Sequence, residues 1–248
     1  MIDLYYYTSP NARKALIMLE EIGLPYALRW VDITRGEQFE PSFVAISPNS
    51  RIPALVDHDG LHGRRVELFE SGAILLYLAE KSGMLLPADP IARLDAIKWL
   101  FWQTSSQGPL LGQAAHFVSH APRRGIQSEY AVERYRSEAQ RLYRVLEQRL
   151  ENRAWIADEY SIADIAAFPW VRVAKGQGVD LDRYPRVKQW CEAIAVRPAA
   201  RKKPAQDAAT LAAAKSGYYE DNTWEVLFGG KRPAADPELD TESSHRRR

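Results

Sequence analysis

A chain of 248 residues, 46% hydrophobic and 26% charged, can bury a substantial core, and 33 Lys and Arg against 32 Asp and Glu leave a net charge of only +1. That balance gives no electrostatic reason to expect nucleic acid as the main partner; the longest apolar run, near residues 72–79, falls far short of a bilayer span, and Asp3 interrupts any secretory leader. A cytoplasmic protein is therefore expected, and its one cysteine, Cys191, has no partner thiol in the chain.

The first 80 residues alternate strand and helix signals, the pattern of an α/β unit. Ile2, Leu4 and Tyr6 alternate with Asp3 and Tyr5 as a half-buried strand would. Pro10 suits the first turn of a helix with Leu16 and Leu19 on its apolar side, and Gly23 supplies a stop. Tyr26, Leu28 and Trp30 form a second strand at period two. After a polar stretch, residues 54–57 and 66–69 read as a hairpin across a turn rich in Asp, Gly and His. Glu70-Ser71 then opens the helix GAILLYLAEK, with Ser71 the expected N-cap. The predicted order is βαβ followed by ββα.

The segment SGMLLPADP, residues 82–90, reads as a linker, and beyond it strand signals vanish. Leu94, Ile97 and Phe101 open a long helix that Gly108-Pro109 should bend or break. Ala131, Tyr135, Ala139, Leu142, Leu146 and Leu150 form a strong helical stripe. In YSIADIAAFPWV, Ser161 and Asp164 have capping-box spacing, with folding as their expected role. Cys191 lies in an amphipathic helix and reads as a small buried hydrophobe.

The predicted organisation is an α/β unit over 1–81, a linker over 82–90, an all-helical unit over 91–200 and a C-terminal extension over 201–248. Within the extension, residues 210–217 could hold a short helix, YYEDNTWEVLFGG has the aromatics to pack onto the body, and the final stretch is expected to be disordered. His116 and His120, four apart, could share a helix face as metal ligands do, but no acid falls between them; lining a cavity or a solvated helix end is the expected role.

Three polar sites converge on one end of the predicted sheet: Ser9 to Asn11, the Ile52-Pro53 junction, and Glu70-Ser71. Two of these are helix starts, which present free amide hydrogens and a positive dipole end and so can hold a carboxylate and a thiolate. The segments SPNSRIPALVDHDG, LFESGAILLYLAEK, LFWQ, RLYRVLEQRLE and YSIADIAAFPWV resemble the cytosolic glutathione transferase superfamily over about residues 1–200, and MIDLYYYTSPN with GEQFEPSFVAISPN is most similar to its bacterial Nu class. The resemblance implies an α/β thioredoxin-like N-terminal domain, an all-α C-terminal domain, a homodimer and a glutathione site without a metal.

By position, the resemblance makes Pro53 a cis proline and lets Ile52 pair its backbone with the cysteinyl part of glutathione. Glu70 would take the γ-glutamyl amine and Ser71 its carboxylate, with Gln38 a further contact and Arg51 standing where the class commonly has a lysine near the glycyl end. Arg134 matches an arginine of the class, with an exposed helix charge as the alternative. Ser9-Pro10-Asn11-Ala12 occupies the corner where a thioredoxin-like redox protein carries Cys-Pro-x-Cys, so the sulfur has to come from the ligand. Ser9 and Asn11 are the candidate catalytic residues that stabilise it; Tyr5, Tyr6 and Tyr7 are rival hydroxyls, Tyr7 being near enough to the strand end to border the site. The implied activity is glutathione-dependent disulfide reduction with weaker conjugation of electrophiles. A non-enzymatic regulatory module of the same fold is the alternative.

Overall fold

The computed structural model describes residues 1–204 and 220–229. Strands β1 (Ile2–Tyr6), β2 (Tyr26–Trp30), β3 (Ala54–Asp57) and β4 (Val66–Phe69) form a sheet in the order β2-β1-β3-β4. β1 and β2 run parallel because helix α1 (Pro10–Ile22) carries the chain back across the sheet, whereas β3 pairs antiparallel with both β1 and β4. Tyr5 lies opposite Ala54, and Ala54 opposite Phe69. This register brings the exit of β1, the entry of β3 and the exit of β4 to one sheet end.

Local chemistry explains the helix ends there. Ser9 caps α1, its Oγ accepting the Ala12 amide at 3.1 Å, Pro10 takes the first helical position, and Gly23 closes the helix at φ 68°. Helix α3 spans Ser71–Ser82, and here the expected N-cap is corrected: Glu70 occupies the cap at φ 70°, while Ser71 is the first helical residue. The helical backbone already begins at Ser71, whose hydroxyl accepts instead from Lys14 Nζ at 3.1 Å. A short helix, α2 (Pro41–Val44), precedes β3.

The rest is helical: α4 (Pro90–Trp102), α5 (Gly108–Ala115), α6 (Glu129–Arg149), α7 (Ile162–Val171), α8 (Pro185–Ala195), α9 (Pro198–Arg201) and α10 (Asp221–Leu227). Gly108-Pro109 does not break the chain's helical path. A π turn over Gln103–Gln107 joins α4 to α5, the Gly108 amide reaching back to the Gln103 carbonyl, and this widened turn accommodates a proline that lacks a donor. Ser161 and Asp164 form the capping box, and Asp164 Oδ1 also accepts from the Ile156 amide (2.9 Å) and Trp190 Nε1 (2.8 Å). Burial pushes this carboxyl up to about 6, and its donors tie α7 to α8.

α1 packs on both α3 and α7, so one apolar core runs from the sheet into the helices, with Cys191 in its wall. Among the described residues no helix is long and apolar enough to cross a membrane, and no group of three potential metal ligands occurs. The helix expected at 210–217 and the disorder expected at the C-terminus fall outside the described residues.

Candidate active site

Two adjoining cavities open at the sheet end fixed by that register. One, of about 370 Å³, is lined by the polar Ser9, Asn11 and Gln38, by Ile52, and by the apolar Ile33, Phe39, Val226, Leu227 and Phe228. The other, of about 400 Å³, is lined by Ser47, Pro53, Phe69, Glu70, Ser71 and Pro109. Asn11, Asn49, Arg51 and Ile52 line both. The structure thus gathers Ser9, Asn11, Gln38, Arg51, Ile52, Pro53, Glu70 and Ser71 around one continuous depression. Arg134 stands exposed on α6 and lines neither cavity.

Both helix N-termini that face the depression carry a polar side chain in a defined setting. The Ser9 oxygen accepts the Ala12 amide, which leaves its own proton to donate outward. Asn11 Oδ1 accepts from Trp170 Nε1 at 3.0 Å. An indole nitrogen only donates, so the carboxamide oxygen is committed and the two Nδ2 hydrogens remain for a ligand. Trp170 belongs to α7, and neither its spacing nor its context in the sequence set it apart from a core tryptophan.

The far end of the depression is polar and charged. Glu70 is exposed and held at φ 70°, ψ 114°, a conformation costing about 1–3 kcal/mol for a residue with a Cβ. Asn49 Nδ2 reaches its carboxylate at 3.5 Å. The Ile52-Pro53 peptide is cis. Gln38 is buried, yet its Oε1 has no partner among the described residues, an acceptor facing a cavity that a ligand amide can satisfy.

No tyrosine lines either cavity. Tyr6 is fully buried, and Tyr7, expected to border the site, is buried against Trp30 with ring centroids 5.1 Å apart. Cys191 is buried in α8, where desolvation raises its thiol to about 11, so it supplies no thiolate near neutral pH.

The C-terminal end of α10 contributes to the lining of the first cavity. Trp224 is buried, its ring 5.6 Å from His116 and 4.6 Å from Phe228, while Arg124 pairs with Asp221. His116 and His120 both lie tilted against the Phe228 ring, and burial lowers both imidazoles below the usual histidine value. The histidine pair is thus part of the seat for α10.

Two family models match the chain: the glutathione S-transferase N-terminal domain over residues 8–81 and its C-terminal domain over residues 129–193. The disulfide-bond oxidoreductase YfcG of Escherichia coli K12 is 52% identical over 80% of this chain and 92% of that protein. The chain belongs to the glutathione S-transferase family. YghU, a disulfide-bond oxidoreductase of the same bacterium, is 40% identical over 81% of the chain and 73% of its own length. Among solved members of the family, a Pseudomonas putida glutathione transferase with one glutathione disulfide per subunit superposes with a TM-score of 0.77 at 42% identity, covering 81% of this chain and 89% of the other. A Burkholderia graminis glutathione transferase with two glutathiones per subunit gives 0.76 at 42% identity, covering 80% and 85%. α10 lies beyond the part matched by the C-terminal family model.

Proposed function

We propose that this chain reduces disulfides with glutathione and conjugates glutathione to electrophiles more weakly. The observation that carries this reading is the sulfur-free corner at Ser9 to Asn11, placed beside a second helix start at Glu70 and Ser71 on one depression. Glu70 meets the γ-glutamyl ammonium, Ser71 with the α3 amides meets its carboxylate, the Ile52 backbone pairs with the cysteinyl unit, and Gln38 and Arg51 serve the glycyl end. The relatives named as disulfide-bond oxidoreductases and the glutathione-bound neighbours support the activity and the ligand proposed here. A reducing cytoplasm is where such a reaction finds its glutathione.

At the sulfur, a free thiol of pKa about 8.5 is only a few per cent ionised at neutral pH. Lowering that value by two units takes about 2.7 kcal/mol of anion stabilisation. Asn11 Nδ2, the Ser9 hydroxyl and the N-terminal end of α1 together supply it. Bound glutathione contributes the attacking thiolate, and with a second glutathione the balance is two glutathione thiols oxidised to glutathione disulfide while the substrate disulfide becomes two thiols.

The apolar wall of Ile33, Phe39, Val226, Leu227 and Phe228 receives the organic part of the disulfide or electrophile. Trp224→Ala, which unseats α10, is expected to raise KM for the disulfide about three- to tenfold, in line with the worth of an aromatic cluster, while changing glutathione affinity less than twofold. Equal losses for both ligands would remove α10 from substrate selection.

Homodimerisation is part of the proposal. Ile91, Leu94 and Phe101 on one side of α4 are 75%, 63% and 62% exposed, an apolar stripe suited to a second copy. Leu94→Glu is expected to convert a dimer into a monomer by light scattering; a wild type that is already monomeric would contradict the assignment. Arg134 receives no role in the cavities of its own chain.

Calorimetry with glutathione tests the reading as a whole. Sub-millimolar binding is expected. No heat of binding at millimolar glutathione would exclude it.

A further inference from the structure

Directly beneath the two helix starts, Lys14 is 1% exposed, an unusual place for an ammonium. Its Nζ donates to Ser71 Oγ at 3.1 Å and to Gln103 Oε1 at 2.5 Å, linking α1, the start of α3 and the π turn after α4. Gly72 makes the approach possible, since a Cβ there would come within 2.8 Å of Thr104 Cγ2. Lys14 lines neither cavity, whereas Ser71 lines one. The lysine therefore meets a ligand only through the serine.

We infer that Lys14 is a positioning residue for the γ-glutamyl carboxylate, holding the Ser71 hydroxyl with its proton toward the cavity and placing a positive charge beneath it. Because Lys14 donates to Ser71 Oγ, that hydroxyl is free to donate its own hydrogen to an anion. Because Lys14 itself is buried, water screens its charge less than it would that of an exposed lysine. This inference rests on the glutathione reading.

The lysine is also poised to change its charge. Burial lowers it to about 7, against a single opposing influence from Glu70 across the β4–α3 junction. From the other elements packed on α1, Asp164 of α7 is committed to the Ile156 and Ser161 amides and to Trp190, and Tyr77 and Lys81 of α3 are both engaged by Asp57. On α9, Arg201 turns to the Ala195 carbonyl. Next to Lys14 on α1, Arg13 donates to the Ala200 carbonyl. A neutral amine satisfies both hydrogen bonds seen here, and the extra proton becomes favourable when a carboxylate docks above. Binding therefore takes up a proton, so affinity is greatest below the free value of about 7 and declines as pH rises past it.

The test compares two probes whose sulfur does not titrate: S-methylglutathione and its analogue with 4-aminobutyryl in place of γ-glutamyl, which lacks only the carboxylate. Wild type is expected to bind the analogue about 10- to 100-fold more weakly, the worth of a charge-assisted hydrogen bond. Lys14→Met is expected to show a loss of threefold or less, and its affinity for S-methylglutathione should be flat from pH 6 to 8.5 where wild type declines about tenfold. The same carboxylate penalty in both proteins would overturn the inference, because a merely structural lysine would weaken both probes alike. Wild type that binds neither probe would instead overturn the glutathione reading beneath it. Carbon-13 labelling of the lysines gives a readout without substitution: the Lys14 Cε titration should move upward on saturation with S-methylglutathione and stay in place with the analogue. An unmoved titration with S-methylglutathione would equally refute the inference.

Discussion

Replacing Asn11 with alanine is expected to lower kcat/KM for disulfide reduction about 10- to 100-fold and to raise the pKa of the bound glutathione thiol by about one to two units, the worth of one hydrogen bond to an anion. The pH–rate profile separates this from a loss of binding, since a donor that serves only the thiolate shifts the profile with little change in glutathione affinity. Trp170→Phe provides an independent check. It touches no ligand in this scheme, but it releases the Asn11 oxygen held at 3.0 Å, so the carboxamide can turn either face to the sulfur. A smaller shift in the same direction is expected. Ser9 is harder to read by substitution, because its oxygen also caps α1 and Ser9→Ala removes about 0.5–2 kcal/mol of helix stability along with the donor. Ser9→Thr keeps both functions. A thiol pKa unmoved in Asn11→Ala and raised in Ser9→Ala would assign the anion to the serine alone.

Glu70→Gly is expected to stabilise the free protein while impairing its binding. Glycine relieves a φ of 70° at the α3 cap, a gain of about 1 kcal/mol, and should raise Tm by several degrees at most. The same change deletes the carboxylate proposed to hold the γ-glutamyl ammonium, and the dissociation constant for glutathione should rise at least tenfold. Thermal melts and calorimetry on one preparation measure both. A glycine variant that is more stable and binds equally well would show that the strained backbone at position 70 serves something other than glutathione.

Much of the candidate site was legible because its residues sit at element ends. Pro10 after Ser9, the Ile52-Pro53 step, and Glu70-Ser71 before an apolar run are local signals, and the strand register then places all three at one end of the sheet. What stayed hidden depends on contacts distant in sequence. Trp170 reaches Asn11 across 159 residues, and Lys14 reaches Gln103 across 89. In the sequence the first is one more tryptophan in an apolar helix, and the second one more charge among Arg13 and its neighbours. The N-cap assignment at Ser71 missed by one residue because nothing local reveals that Glu70 takes a positive φ, and the Lys14 contact to the Ser71 hydroxyl is equally invisible in the sequence. The Gly108-Pro109 pair suggested a bend or break, and the structure answers with a π turn over Gln103–Gln107 through which the helical backbone continues, an arrangement that no residue of the pair announces. Tyr7 has the right place along the chain, but its ring is taken up by Trp30.

In the proposed reaction both reducing thiols come from glutathione and none from the protein. Its most direct measurement is the steady-state reduction of 2-hydroxyethyl disulfide by glutathione, coupled to glutathione reductase, for wild type and Cys191→Ala. Turnover in both proteins, with rates within about twofold, is the predicted result, because the only cysteine is buried and its thiol is raised to about 11. Loss of turnover in Cys191→Ala with its fold and glutathione binding intact, or no turnover in wild type, would contradict it.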